Sequence, residues 1–225
     1  MNCEIEEKLK RLSLDNSRFR ANAKEQLSYD AQLLDEQSFL AHQLSSFKKG
    51  RILDVGCGYG TLTGFLKEDG WIAEGLDVNK NLMSEKWFEY KDNPYYQLNI
   101  ETDELPKGYD VILLAEVIEH LCYNPVPTIK KLYASLNTGG KIIVTTPAKE
   151  LSEHLQYAQE NNGRYALYLH YRDIPEPWNG YSWNDAHNYL YLAKELAQLF
   201  HECGFKIKEI YPFRKGKYTY LVAEK

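Results

Sequence analysis

The sequence predicts an α/β fold built on a mostly parallel sheet. From Arg51 onward, short apolar runs alternate with helical stretches, as successive βαβ units require. The first run, Arg51-Ile-Leu-Asp-Val55, passes directly into glycines at 56, 58 and 60 and then into a helical pattern, giving strand, tight turn and helix in immediate succession. The chain closes on two apolar runs joined through Lys215-Gly216-Lys217, which read as an antiparallel hairpin at the sheet edge. A length of 225 residues, 44% of them hydrophobic, suffices for one ample core and is short for two full domains.

Residues 1–50 form a helical extension. Ile5, Leu9 and Leu12 recur at helical spacing, as do Tyr29, Leu33, Leu40, Leu44 and Phe47, with Gly50 as the helix stop. These helices either pack on the core as scaffold or act as a lid over the ligand. The core, 51–225, begins with a strand over Ile52–Val55 and a helix over Leu62–Glu68 closed by Gly70. A second strand, Trp71–Asp77, is followed by Asn79 and Asn81 as helix-entry residues. Pro94–Ile100 reads as a third strand, and Tyr109–Ala115, strongly apolar, as a central one buried on both faces. Pro125–Leu136 is an amphipathic helix, Asn137-Thr-Gly-Gly140 a turn, and Lys141–Thr146 a strand stopped by Pro147. At about 147–187 the rhythm breaks. This stretch is too long for an ordinary connection and rich in aromatics, which predicts a cap over an acceptor pocket. Tyr165, Tyr168, Tyr171, Trp178, Tyr181 and Trp183 either line that pocket or form a satellite cluster that holds the loop down. A helix over Tyr191–Cys203 and strands over Phe205–Tyr211 and Tyr218–Ala223 complete the chain.

A net charge of −5 repels polyanions, so nucleic acid starts at a disadvantage as a substrate. Cys3, Cys57, Cys122 and Cys203 lie far apart with no C-x-x-C pair, as in a reduced, cytoplasmic protein. No apolar run is long enough to span a membrane, and the acidic start, Met1-Asn-Cys-Glu-Ile-Glu-Glu7, is unlike a signal peptide.

The glycine loop selects the cofactor by its spacing. A dinucleotide fingerprint needs a third small residue where Thr61 stands, which argues against NAD and FAD. Asp54-x-Gly56-x-Gly58-x-Gly60 instead resembles motif I of the class I S-adenosylmethionine (SAM) dependent methyltransferases, and the likeness runs from about Gly50 to the C-terminus. The resemblance implies a Rossmann-like, mostly parallel seven-stranded sheet with an antiparallel C-terminal hairpin and helices on both faces. It also implies that Asp54, Gly56, the small Cys57, Gly58 and Gly60 line the methionine part of SAM. Asp77 and Val78 then meet the ribose, Asn99 and Ile100 the adenine, and Ala115 and Glu116 complete the cofactor site. Ligands of such sheets sit beyond the carboxyl ends of the strands, so Asp54 and Asp77 should face one crevice. An ordinary helix cap is the other reading of Asp77.

Methyl transfer to a hydroxyl needs its proton removed, and a placed base is worth ~10²–10⁴ in rate, roughly 3–5 kcal/mol of barrier. Glu116-Val-Ile-Glu119-His120-Leu121 resembles the corresponding motif of ubiquinone-biosynthesis O-methyltransferases. It also resembles that of small-RNA terminal 2′-O-methyltransferases, where two glutamates, the histidine and a later histidine hold a divalent metal. His187-Asn-Tyr-Leu-Tyr-Leu-Ala-Lys-Glu195 resembles the later stretch. Carried over, this makes Glu116, Glu119, His120 and His187 a possible site for Mg²⁺, Mn²⁺ or Fe²⁺, with Glu119, His120 and His187 as the catalytic candidates. Direct base action by His120 or His187, and a structural role for the glutamates, stand beside that reading. His42, His154, His170 and His201 have no comparable context. The sequence therefore points to a SAM-dependent methyltransferase acting on a small-molecule oxygen or amine, in a sugar, sugar-linked or quinone-like acceptor. A metal-dependent RNA 2′-O-methyltransferase and a SAM-binding module without turnover are the alternatives.

Overall fold

The computed structural model describes residues 3–82, 84–148, 158–161, 164–167, 170–175 and 186–225. The main sheet holds β1 (Arg51–Val55), β2 (Ile72–Asp77), β3 (Tyr95–Gln97), β4 (Tyr109–Ala115), β5 (Leu136–Pro147), β8 (Lys206–Phe213) and β9 (Tyr218–Glu224), in the order β3-β2-β1-β4-β5-β9-β8. A separate two-stranded sheet pairs β6 (Ala158–Asn161) with β7 (Arg164–Leu167). The expected seven-stranded sheet is thus present, with its antiparallel pair formed by the last two strands of the chain. Two compact units divide the chain, residues 1–97 and 98–225.

In the first unit, β1, β2 and β3 run parallel, with Asp54 beside Gly75 and Asp77 beside Gln97. The N-terminal helices α1 (Cys3–Ser17) and α2 (Ala23–Leu44) precede them. Helix α2 ends at Leu44 rather than at Gly50. The Ser45 and Ser46 hydroxyls donate to the carbonyls of His42 and Gln43, at 2.7 and 2.9 Å, and terminate the last turn locally. Gly50 serves the sheet instead, its carbonyl accepting the Ile72 N–H at 3.0 Å. Helix α3 (Thr61–Glu68) follows the glycine loop, and α4 (Glu85–Lys91) starts only after Ser84. Asn79 and Asn81 are therefore not helix-entry residues. The Asn79 side chain accepts the Asn81 N–H at 3.1 Å, which bends the chain into a turn.

In the second unit, β4 and β5 are parallel, and β5, β9 and β8 are antiparallel to one another in turn. Asn137–Gly140 is a bulge inside a twelve-residue strand, not a turn ahead of one: pairing jumps from Tyr109–Leu136 to Val111–Lys141. The third strand stops before Asn99, because Asn99 accepts the Glu101 N–H at 2.9 Å while Asp103 accepts the Asn99 N–H at 2.8 Å, and these local turns replace the ladder. Helix α5 (Pro125–Ser135) opens on an Asn124 cap that accepts the Val126 N–H. Helix α6 (Ala193–Glu202) begins two residues later than its pattern, since Tyr191 is drawn into a bridge with Ala148.

The packing of α3 on α4 yields a stability test. Gly64 lies under the buried Trp87, and a Cβ there would stand 2.8 Å from Trp87 Cζ2. Helix propensity favours alanine by ~1 kcal/mol. Overpacking a buried indole costs ~1–3 kcal/mol and should prevail. Urea denaturation of Gly64→Ala is expected to show a net loss of about 1 kcal/mol or more, whereas equal or higher stability would mean that Trp87 yields freely.

Candidate functional site

The first cluster belongs to the unit 1–97. Gly56, Gly58 and Gly60 have φ of +70°, +52° and +79°, so the loop after β1 depends on the left-handed backbone that glycine alone adopts without strain. At Gly60 a Cβ would also stand 2.8 Å from the Phe88 ring. The loop is fastened from below, because the Gly56 and Cys57 N–H groups both donate to the Leu76 carbonyl, at 2.8 and 3.1 Å. From β2, Asp77 Oδ2 accepts the Gly58 N–H at 2.8 Å and Oδ1 accepts the Asn79 N–H at 2.7 Å. Asp77 is buried and Val78 half-buried.

Asp54 is also buried and accepts the Thr63 hydroxyl at 2.6 Å. Burial pushes its carboxyl up to about 7; the Thr63 bond opposes the shift and the negative charge of Asp77 adds to it. Burial likewise raises the Cys57 thiol well above its ordinary range, which disfavours its thiolate. Thr61, which breaks the dinucleotide spacing, is buried and donates to Asp30 at 2.8 Å.

Residues of the N-terminal helices and of the connection between them, to which the sequence motifs do not point, hold this loop. The Tyr59 carbonyl accepts from the Asn16 amide at 2.8 Å and from Arg20 Nη2 at 2.7 Å, while Arg20 Nη1 donates to the Leu82 carbonyl at 2.5 Å. Asp30 gathers the Ser13 hydroxyl at 2.5 Å, the Thr61 hydroxyl and the Gln26 amide. A signal was present: Asn16 lies on the same helical stripe as Leu9 and Leu12, a polar residue on a buried face.

The second cluster belongs to the unit 98–225. At the end of β4 the chain turns through Glu116 at φ +53°, an uncommon conformation for a side chain of this size. A single 3-10 turn over Ile118–His120 follows. Glu119 is fully buried. Its Oε2 accepts the Thr146 hydroxyl at 2.9 Å, and its backbone carbonyl accepts the N–H groups of Asn188 and Tyr189 at 2.7 and 3.2 Å. His120 Nδ1 lies 3.0 Å from the Ala186 carbonyl, which only accepts, so Nδ1 carries a proton and, in the neutral ring, Nε2 holds the lone pair. That Nε2 is 3.9 Å from Glu119 Oε1, and the His187 ring meets the His120 ring edge-on at 4.8 Å between centroids.

Ligand atoms of Glu119, His120 and His187 all lie within 4.8 Å of one another. Glu116, the fourth member of the expected set, is not among these three. The 3-10 turn after Glu116 carries Glu119 and His120, which bond to the 186–189 segment.

Two further residues hold the second cluster. The Asn188 amide donates to the His120 carbonyl at 2.9 Å and lies 3.3 Å from Cys122 Sγ. Glu101 accepts the N–H groups of Cys122 and Tyr123 at 2.9 and 2.8 Å, and burial pushes its carboxyl up to about 7. The adenine candidates Asn99 and Ile100 lie in the turn just before it, Ile100 buried. Tyr171 is no pocket lining. It is fully buried and donates to Glu202 at 2.9 Å, as Tyr189 does to Glu195 at 2.5 Å, so both anchor their segments to α6. Tyr165 lies on β7 with its side chain outside the described atoms; Tyr168, Trp178, Tyr181 and Trp183 lie outside the described residues, as does His154.

The raised Asp54 carboxyl makes stability depend on pH. Its folded value of about 7 exceeds the ordinary 3.8, so between those values the unfolded chain has lost a proton that the folded chain keeps. The contribution is full below about pH 4 and is lost as pH rises towards 7, at ~1.4 kcal/mol per pH unit. Glu101 acts in the same direction. Asp54→Asn should therefore flatten the fall in unfolding free energy between about pH 4.5 and 7.5 by roughly half, read from urea titrations across that range; an unchanged slope would show that Asp54 titrates normally.

A family model described as a methyltransferase domain matches residues 19–210. Among curated relatives, the ubiquinone biosynthesis O-methyltransferase of Rickettsia akari is 32% identical over 114 residues, covering 49% of this chain and 45% of its own. The matched stretch spans a little under half the length of the first such relatives. Two solved structures share the fold. An S-adenosylmethionine-dependent methyltransferase from Clostridium acetobutylicum has a TM-score of 0.65 at 12% identity, over 90% of this chain and 99% of its own. The 1,6-didemethyltoxoflavin-N1-methyltransferase of Burkholderia thailandensis, with bound 1,6-didemethyltoxoflavin and S-adenosylhomocysteine, has a TM-score of 0.59 at 16% identity, over 85% and 76%. With the family model spanning most of the sequence, this chain belongs to the methyltransferase-domain family, and its strand order is that of the class I methyltransferase fold.

Proposed function

We propose that the protein transfers a methyl group from SAM to an oxygen of a small molecule, of sugar, sugar-linked or quinone-like chemistry, in the cytoplasm. The observation that carries the donor assignment is Asp77: buried at the end of β2 and bonded to the Gly58 N–H of the glycine loop, with its carboxylate beside that turn. In this reading Gly56–Gly60 line the methionine part, Asp77 and Val78 the ribose, Asn99 and Ile100 the adenine, with Ala115 and Glu116 completing the site. The name of the Rickettsia relative supports oxygen and a quinone-type acceptor. That of the Burkholderia enzyme keeps a ring nitrogen as the second choice. The net charge of −5 disfavours RNA.

SAM supplies a methyl group already activated on a sulfonium, so the chain's own tasks are orientation and removal of the acceptor proton. His120 is equipped for the latter. Its Nδ1–H is fixed on the Ala186 carbonyl and its Nε2 lone pair is turned to the space beside Glu119 and His187. A second reading rests on the same convergence: Glu119, His120 and His187 would hold a divalent cation, which lowers the pKa of a bound acceptor hydroxyl. The Nδ1–H to carbonyl bond of His120 is the kind of outer contact that orients a metal-ligating imidazole.

Transfer of labelled methyl from SAM to a panel of catechols, phenols, sugars and amines tests the proposal. Label should appear in an oxygen acceptor, and Asp77→Ala should raise the KM for SAM at least tenfold, about 1.4 kcal/mol. SAM bound without transfer to any acceptor would favour the non-catalytic module. Chelation separates the two acceptor-side readings: a metal enzyme loses activity in EDTA and regains it with Mg²⁺ or Mn²⁺, and His187→Ala reproduces the loss. Activity indifferent to EDTA, with His120→Ala slower by ~10²-fold or more, leaves the imidazole as base.

A further inference from the structure

We propose that a cavity in the unit 1–97, bounded by the α1–α2 connection, the start of α4 and β3, is a second ligand site, which takes an aromatic small molecule carrying a phosphate monoester. The cavity measures about 420 Å³, inside the range of about 300–1,000 Å³ usual for small-molecule sites. None of Asp54, Gly56–Gly60, Asp77, Val78, Asn99 and Ile100 lines it, so it is separate from the residues assigned to SAM.

Its charge selects the anion. Lys80 and Lys86 both line the cavity and both are exposed. Neither ammonium meets a carboxylate among the described residues, whereas Lys8, Arg11, Lys49, Arg51, Lys67 and Lys91 of the same unit each pair with one. Glu85, the acidic member of the lining, is already engaged, since its Oε1 accepts the Tyr95 hydroxyl at 3.1 Å. The cavity is therefore a locally positive spot on a chain whose net charge is −5. Each ammonium offers three N–H donors, and Gln97, exposed at the end of β3, adds a side-chain amide. A phosphate monoester, with a charge of about −1.5 to −2 and three acceptor oxygens, answers two ammonium groups where a carboxylate would answer one.

Its walls select the body of the ligand. Phe19 and Tyr95 are half-buried and line the cavity with aromatic surface. The Phe19 ring packs on Trp87 and Tyr90, at 6.0 and 5.2 Å between centroids, and the Tyr95 ring on Phe88 at 5.0 Å. Trp87 and Phe88 are buried in α4. The Ser84 hydroxyl donates to the Phe19 carbonyl at 3.4 Å and joins the two sides. Both rings are thus braced from behind by buried neighbours, so little ordering is needed when a ligand enters.

Phenyl phosphate, phenol and inorganic phosphate, titrated into the isotope-labelled full chain and followed by its amide NMR signals, test the site. Phenyl phosphate should give saturable shifts around Lys80, Lys86 and Gln97 and bind more tightly than either fragment. Lys80→Gln/Lys86→Gln, which alters exposed side chains only, should weaken it by about 3–10-fold. The shifts should persist when S-adenosylhomocysteine is added. The proposal is overturned if phenyl phosphate does not saturate at millimolar concentration, if inorganic phosphate binds as tightly, or if the double variant keeps wild-type affinity. Competitive displacement by S-adenosylhomocysteine, with shifts at Gly56–Gly60 instead, would place the anion in the donor site and overturn it too.

Discussion

The bond between the Asp77 carboxylate and the Gly58 N–H is the contact on which the donor side depends. A loop with three left-handed glycines is entropically expensive to order, and its backbone groups need partners when buried. Asp77 supplies one from β2, the Leu76 carbonyl supplies another, and Asn16 of α1 and Arg20 of the α1–α2 connection satisfy the Tyr59 carbonyl. Burial raises the Asp54 carboxyl, the Thr63 bond opposes the shift, and the nearby charge of Asp77 adds to it.

The second cluster is assembled by main-chain bonds between distant stretches. Asn188 and Tyr189 donate to the Glu119 carbonyl, Ala186 accepts from His120, and the Asn188 side chain returns to the His120 carbonyl. These bonds fix His120 and His187 as a pair and choose the His120 tautomer. A base and a metal ligand need the same thing from this imidazole, a directed Nε2 lone pair, which is why one geometry supports two acceptor-side readings.

Much of this was legible in the sequence because it rests on local chemistry. Glycines two apart after an apolar strand specify a turn, and apolar runs of strand length specify a parallel sheet, so the fold, Asp54 and Asp77 could be placed. The boundaries that moved did so where side chains cap the backbone: Ser45 and Ser46 end α2 early, Asn99 and Asp103 stop β3, and Asn79 makes a turn. Asn16, Arg20, Asp30, Glu101 and Asn188 were passed over because each acts on residues far along the chain, from 17 residues for Asp30 and Ser13 to 68 for Asn188 and His120. Spacing alone also could not show that Glu119, His120 and His187 converge, since that follows from the bonds between the 3-10 turn and the distant 186–189 segment.

The direct test of the donor assignment is a paired calorimetric titration of the wild-type chain with S-adenosylhomocysteine and with NAD⁺. The loop with Thr61 in place of a third small residue, and with Asp77 on the Gly58 N–H, is expected to bind S-adenosylhomocysteine at one per chain and to give no heat with NAD⁺. Saturable binding of NAD⁺ with none of S-adenosylhomocysteine would contradict it.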